Sequence, residues 1–169
     1  MQSLTLLNTD IRTDGGAAIG TLCGGGHDTP RSCSKLQIER SRISEGGAVA
    51  MAQGLRSGAI GGQQLVDVRI MSSVLGSEGS PGATAVAASL GLCRELRTLF
   101  LVDAGLKDAG AVAFAAGLSE AASIASASAS AAATRELSSG SNGGGGGSGG
   151  LGSLETLLLH SNGIGDRGT

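Results

Sequence analysis

The sequence has no tryptophan or tyrosine and only two phenylalanines among its 169 residues. A hydrophobic core made without aromatic rings must come from leucine, isoleucine, valine and alanine. Because those side chains are small, each layer of such a core is thin. Thin layers that repeat along the chain are typical of solenoid proteins, so we expect a repetitive architecture rather than one large globular core.

The sequence also lacks any block of like charge, because its 12 basic and 14 acidic residues are dispersed and the net charge is −2. The absence of clustered lysine and arginine argues against a nucleic-acid partner. No stretch approaches the ~20 apolar residues of a membrane span, and the first residues lack the features of a signal peptide. Three cysteines in such a chain favour a reducing compartment, and we expect the cytoplasm.

A repeated pattern of leucines is clearest near the end of the chain, in LETLLLHSNGIGDRG at 154–168. If Leu154 is position 1, apolar residues stand at positions 1, 4, 6 and 11, and glycine at position 15. The pattern occurs four more times, starting at Met1, Cys33, Leu65 and Leu96. Position 4 is then Leu4, Leu36, Val68, Leu99 and Leu157, and position 6 is Leu6, Ile38, Ile70, Leu101 and Leu159.

The spacing of these residues predicts a strand followed by a helix in each unit. Positions 4 and 6 lie two residues apart, so both side chains point to one face of a short strand. After the glycine, apolar residues follow with helical spacing, as in GAVAFAAGL at 110–118. One unit cannot bury its apolar side alone, whereas stacked units form a parallel sheet on one side and a row of helices on the other.

Position 9 of the pattern is predicted to stabilise the turn after each strand. A polar side chain there can hydrogen-bond backbone groups that the strand leaves unpaired. The residues at this position are Thr9, Ser41, Ser73, Ala104 and Asn162. Because alanine cannot make such a bond, we expect a weaker turn after the fourth strand.

This pattern resembles the ribonuclease-inhibitor type of leucine-rich repeat, which also occurs in NOD-like receptors and in Ran GTPase-activating protein. The resemblance is carried by 154–168 and by the fuller unit LRTLFLVDAGLKDAGAVAFAAGL at 96–118. It implies an α/β solenoid of about five units, with parallel strands on the concave face, helices on the convex face, and a protein-binding role. The units begin 32, 32, 31 and 58 residues apart, so the loops are padded relative to a repeat of about 28 residues.

Changes in composition divide the chain into three parts. Residues 1–118 hold four units, 119–150 are rich in alanine, serine and glycine, and 151–169 begin a fifth unit without its helix. The Ala/Ser-rich stretch can extend the fourth helix, and 138–150 has the composition of a flexible linker. A degenerate repeat in this region is the alternative. We therefore expect an array that is interrupted once and truncated, or one piece of a longer array.

Few residues offer catalytic chemistry. Cys23, His27 and Cys33 lie in or beside one loop, but a zinc site needs a fourth ligand, and both cysteines occupy positions where other units have leucine. The glycines at 144–149 match a dinucleotide-binding motif only formally, because no predicted strand precedes them. We therefore predict that the protein is not an enzyme and that it has no catalytic residues, no metal and no cofactor.

Positions 5, 7 and 8 of each unit are predicted to face away from the core. They are charged in the middle units and apolar in the fourth, and an apolar cluster rimmed by charge is typical of a protein interface. Free drift of these positions in a degenerate array is the alternative. The predicted partner-binding residues are Gln37, Glu39, Arg40, Arg69, Met71, Phe100, Val102, Asp103, Leu158 and His160.

Three functions remain open from the sequence. The favoured one is a scaffold that binds another protein, of unknown identity, through the concave face. The second is a GTPase-activating or other signalling regulator resembling Ran GTPase-activating protein, although the chain has no acidic tail and no arginine that matches a catalytic role. The third is a structural module of a ciliary or cytoskeletal assembly. Neither a nucleic acid nor a membrane is expected as a partner, and the sequence indicates no oligomeric state.

Overall fold

A computed structural model describes residues 2–24, 33–60, 65–77, 79–139 and 154–165 of the chain. Strands and helices alternate, and the fold belongs to the α/β class. The strands are β1 (Gln2–Leu7), β2 (Asp10–Ile11), β3 (Cys33–Glu39), β4 (Arg42–Ile43), β5 (Asp67–Met71), β6 (Val74–Leu75), β7 (Thr98–Val102) and β8 (Thr156–Leu158). The helices are α1 (Thr13–Gly24), α2 (Glu45–Ile60), α3 (Pro81–Gly91) and α4 (Lys107–Ser139).

The main sheet has five parallel strands in the order β1-β3-β5-β7-β8, which is also their order along the chain. Parallel neighbours need a long crossover connection, and helices α1, α2, α3 and α4 lie within these connections. The register places Leu36 beside Leu4 on one side and beside Val68 on the other. Leu99 continues this row between Val68 and Leu157. The short strands β2, β4 and β6 form a second parallel sheet.

The hydrophobic core lies between one face of the main sheet and the helices. In β3, Leu36 and Ile38 are fully buried, whereas the intervening Gln37 is partly exposed. The same alternation occurs in β5 and β7. The helices contribute buried side chains such as Met51 and Val86 to the same core cluster. Consecutive helices also contact each other, α1 with α2, α2 with α3 and α3 with α4.

The chain turns after each long strand at a residue with a left-handed backbone. Such residues have φ between 47° and 61°, and all five stand at position 8 of the sequence pattern. A positive φ is uncommon for residues other than glycine, so its recurrence at one position indicates that the same turn follows each strand. These residues are Asn8, Arg40, Ser72, Asp103 and Ser161.

Side chains at position 9 stabilise the neighbouring turn as well as their own. The Thr9 amide donates to Ser41 Oγ (3.1 Å), and the Ala104 amide donates to Asn162 Oδ1 (2.8 Å). Asn162 also donates to the carbonyl of Leu101, in the strand that precedes the fourth turn. The turn after the fourth strand is therefore well bonded, contrary to the sequence-based expectation. Because Ala104 has no side-chain acceptor, it cannot accept from the amide of Ser73 in the preceding turn.

Helices α1 and α2 pack with their backbones in direct contact at glycines. A Cβ atom added at Gly16 would overlap the Gly47 carbonyl, and one added at Gly54 would overlap the backbone of Gly20. The same close approach recurs between Gly24 and Gly58, and between Gly91 of α3 and the Phe114 carbonyl of α4. Many of the glycines therefore serve helix packing, which a larger side chain would prevent.

Helix α4 is 33 residues long and includes the Ala/Ser-rich residues 119–139. The rest of the predicted linker, 140–150, lies outside the described residues. Glu120 of α4 forms an ion pair of 2.6 Å with Arg56 of α2. No helix in the described part of the chain combines the length and hydrophobicity that a membrane crossing requires.

Candidate functional site

The face of the main sheet that points away from the helices carries most of the predicted binding residues. We call this surface the open face, and its central side chains are partly exposed while the residues between them are buried. Leu158 of β8 continues this face beside Phe100. The open face consists of Lys35, Gln37, Glu39, Asp67, Arg69, Met71, Thr98, Phe100, Val102 and Leu158.

A polar network crosses three strands of the open face. Asp67 accepts from Arg69 Nε at 3.0 Å with one carboxylate oxygen and faces Lys35 Nζ at 3.2 Å with the other. The Arg69 guanidinium in turn lies over the Phe100 ring, 4.9 Å from its centroid. Lys35, Asp67 and Arg69 together carry two positive charges and one negative charge. The network therefore leaves one net positive charge beside an aromatic ring.

Lys35 and Asp67 are functional candidates that the sequence analysis missed. Both stand at position 3 of the pattern, and alternate residues of a strand share one face. Positions 3, 5 and 7 must therefore lie together on the open face, although only the latter two were considered. Strand periodicity was the signal that could have identified them.

The main effect of this network is to orient side chains rather than to stabilise the fold. Exposed ion pairs contribute about 0–1 kcal/mol, and an exposed cation–π contact about 0.5–1 kcal/mol. The carboxylate of Asp67 nevertheless fixes the guanidinium of Arg69 in position over Phe100. An oriented arginine and an aromatic ring are thus presented together, with little side-chain entropy left to lose on binding.

The other half of the open face is apolar. Met71 pairs in register with Val102, and Phe100 pairs with Leu158, so the four side chains form one block across β5, β7 and β8. All four are partly exposed. Partly exposed apolar side chains that adjoin each other gain free energy when another surface covers them.

Glu39 and Gln37 lie on the charged side of the open face. Gln37 Nε2 donates to Glu39 Oε1 at 2.6 Å, so these two predicted residues bind each other. Glu39 also lies in register between Leu7 and Met71. Leu7, on β1, is 52% exposed, which makes it the most exposed apolar residue of the main sheet.

Three predicted residues lie in turns rather than on strands. Arg40 and Asp103 are exposed at the left-handed positions after β3 and β7. His160 was expected on the fifth strand, but β8 ends at Leu158, so the imidazole lies in the following turn. The His160 carbonyl accepts from the Asp103 amide at 3.3 Å. These residues form a rim beside the open face and take no part in its polar network.

Away from the open face, the described structure has a small cavity and a buried thiol. An apolar cavity of about 40 Å³ has Cys93, Phe114, Leu118 and Leu154 in its lining, and it has room for water rather than for a metabolite. Burial raises the pKa of the Cys93 thiol to about 12, so the reactive thiolate is suppressed. Within the described ranges, no group of three or more His, Cys, Asp or Glu residues could hold a metal ion. His27 lies outside those ranges.

Comparison of the chain with protein-family models, with curated proteins and with solved structures finds no match.

Proposed function

We propose that this chain is a leucine-rich-repeat solenoid of the ribonuclease-inhibitor type, and that it binds another protein through the open face. The proposal is supported by the order of the strands, which follows the chain, and by a helix after each of the first four long strands. It is also supported by the left-handed turn at the same pattern position after each of the five. In such a solenoid the open face would be concave.

The block of Phe100, Val102, Met71 and Leu158, with Arg69 held over the ring, is the observation that supports binding most strongly. Binding energy at protein interfaces is concentrated in a few aromatic and arginine residues that lie among apolar neighbours. In the described structure this block is partly exposed and has no covering element. A partner that covers Phe100 would bury apolar area and would also desolvate the cation–π contact.

The shape of the open face favours a protein over a small molecule. Its central strands are about 4.8 Å apart, so the face extends about 15–20 Å across β3, β5, β7 and β8. Small ligands prefer concave pockets that bury most of their surface. A broad sheet with alternating charged and apolar side chains instead fits the surface of another protein. We also propose that binding takes place in the cytoplasm, where the three free cysteines would stay reduced.

The test compares capture of partners by the intact chain and by two variants. Phe100→Ala removes the ring from the open face, and Val112→Ala removes an exposed apolar side chain from α4, where Val112 is 56% exposed. We expect the affinity of a captured and purified partner to fall about tenfold or more with Phe100→Ala, the usual effect of losing a central interface residue. Val112→Ala should leave the affinity unchanged.

The melting temperature of each variant, compared with that of the original chain, distinguishes a loss of binding from a loss of folding. If a partner binds Phe100→Ala as tightly as the original chain, the open face is not its binding site. Equal losses with both variants would also contradict the proposal.

A further inference from the structure

The end of one helix and the start of the next long strand meet at a buried junction. Leu55 of α2 and Leu65 before β5 are both fully buried in the common core. Leu90 of α3 and Leu96 before β7 are likewise buried, and both line one cavity. Each pair joins a leucine of the helix to the leucine at position 1 of the next unit, so the junction is built from two leucines.

The junction between α1 and β3 has two cysteines instead. Cys23, in the last turn of α1, has no exposed surface, and Cys33, the first residue of β3, is 5% exposed. Both belong to the same core cluster, and α1 and β3 contact each other directly. The Cys33 thiol donates to the Lys35 carbonyl at 2.9 Å. Both cysteines are free thiols.

The two thiols are close enough to influence each other. The pKa of Cys23 is raised by burial first, then by the charge of Cys33 and a side-chain hydrogen bond with it, and least by the charge of Cys93. Burial thus keeps Cys23 protonated, so the pair does not react rapidly in the closed structure. Reaction requires a local opening at α1, and such openings are easiest where an element has few neighbours. Among the helices of the described ranges, α1 packs mainly on α2.

Two cysteines at one junction are difficult to explain by packing. The side chain of cysteine is smaller than that of leucine. The junction with two cysteines therefore has less of the apolar contact that stabilises the junctions with two leucines. Both members of this one pair are instead the residue type that can form a covalent bond. We propose that Cys23 and Cys33 are a redox-modification site, at which exchange with a small-molecule disulfide such as glutathione disulfide forms a reversible Cys23–Cys33 bond.

The exchange takes two balanced steps. The more exposed Cys33, as thiolate, attacks one sulfur of glutathione disulfide, forms a mixed disulfide and releases a glutathione thiolate, which takes up the Cys33 proton. Cys23, as thiolate, then attacks the Cys33 sulfur and expels the second glutathione, which takes up the Cys23 proton. Two cysteine thiols are oxidised and one glutathione disulfide is reduced to two glutathione thiols.

The bond would fasten the end of α1 to the start of β3. A disulfide stabilises mainly by restricting the unfolded chain, and this one closes a short loop. The first helix would then be held against the second strand even when its other contacts open. Oxidation would therefore strengthen the β1–α1 end of the sheet and leave the open face on β5 and β7 unchanged.

The test treats the whole folded chain with glutathione disulfide and maps the bonds after tryptic digestion. Cleavage after Arg31 separates Cys23, in the peptide 13–31, from Cys33, in the peptide 32–35. We expect these two peptides to be joined, and the peptide 70–94 to keep Cys93 as a free thiol. The same reaction in concentrated urea should also give pairs with Cys93, because the unfolded chain favours the Cys23–Cys33 pair only through its shorter loop.

A matched variant, Cys23→Leu with Cys33→Leu, restores the residue pair of the other junctions. The oxidised original chain should melt several degrees higher than the reduced chain, and a dithiol reductant should reverse the shift. The double-leucine variant should fold and show no shift with glutathione disulfide. The proposal is wrong if the native chain forms no Cys23–Cys33 bond, pairs either residue with Cys93, or gives the same mixture as the unfolded chain.

Discussion

The amide of Ser41 donates to the hydroxyl oxygen of Ser73, 3.0 Å away in the turn after the next long strand. Ser73 Oγ in turn donates to the Met71 carbonyl at 2.8 Å, so a single hydroxyl connects two turns. Asn162 serves the Ala104 amide in the same way. Between these two contacts, the acceptor that would face the Ser73 amide is replaced by the methyl group of Ala104.

Restoring that acceptor should stabilise the protein. Ala104→Ser places a hydroxyl oxygen where the neighbouring turns have one, and Ala104 is fully buried, so the new bond would be shielded from water. We expect the free energy of unfolding, measured with chemical denaturant, to rise by about 1 kcal/mol. As the control in the opposite direction, Ser73→Ala leaves the Ser41 amide without an acceptor and should cost about 1–3 kcal/mol. If Ala104→Ser leaves the free energy of unfolding unchanged, a hydrogen bond from the Ser73 amide to residue 104 does not stabilise the fold.

Glu45 should make stability depend on pH. Its carboxylate accepts from the Gly82 amide at 2.6 Å, at the beginning of α3. The Ser80 hydroxyl lowers the pKa of Glu45 most, burial opposes this, and the amides of Gly82 and Ser77 lower the pKa further. Because the pKa is lowered on folding, this stabilisation is complete above the ordinary value of 4.5 and is lost as the pH falls through the pKa of the folded state.

Glu45→Gln, which removes the charge and keeps the shape, tests this linkage. At neutral pH we expect the variant to be less stable by about 0.5 kcal/mol, the size of a typical charge interaction with a helix N-terminus. On acidification it should lose less stability than the original chain. Glu95→Gln, at an exposed carboxylate, provides the control and should follow the original pH profile. Parallel profiles for the original chain and Glu45→Gln would rule out the proposed contribution.

Gly54→Ala should destabilise the contact between α1 and α2. Alanine favours helix over glycine by about 1 kcal/mol, but its Cβ would overlap the backbone of Gly20, which cannot move aside as a side chain can. We expect a net loss of about 1–3 kcal/mol, as for other overpacked cores. Gly46→Ala is the same change in the same helix, where the nearest atom is the rotatable hydroxyl of Thr13, and it should be nearly neutral. Thermal melting of both variants distinguishes overlap from helix propensity.

The strands and the core were predictable because the same apolar pattern occurs in each unit of the sequence. Leucine or a similar residue at positions 4 and 6 recurs five times, and those residues adjoin in the sheet register, as Leu36 and Val68 do. The candidate face was largely predictable for the same reason, since the residues between buried ones must point outward. Phe100 and Arg69 were therefore identified, although nothing in the sequence indicated that the guanidinium lies over the ring.

Features that depend on spacing between elements were not predictable in the same way. The sequence shows Ser73 and Ala104 at one pattern position, but not that a side chain there serves the amide of the preceding turn. Gly16, Gly20 and Gly24 recur every four residues, which is the spacing of one helix face. The contact that they make with the neighbouring helix was not predicted, because the apolar spacing pattern contains no information about which helix backbones touch. The length of α4 was ambiguous because alanine favours helix and serine does not.

The order of the strands has a consequence for how such a chain can change over generations. Each strand of the main sheet pairs only with strands that adjoin it in the sequence of long strands, and the helices pack mainly on the next helix. Copying or deleting one strand, turn and helix would therefore reproduce an existing junction and leave the distant ones untouched. A gene with this arrangement can lengthen or shorten by whole segments, and the area of the open face would change in equal steps.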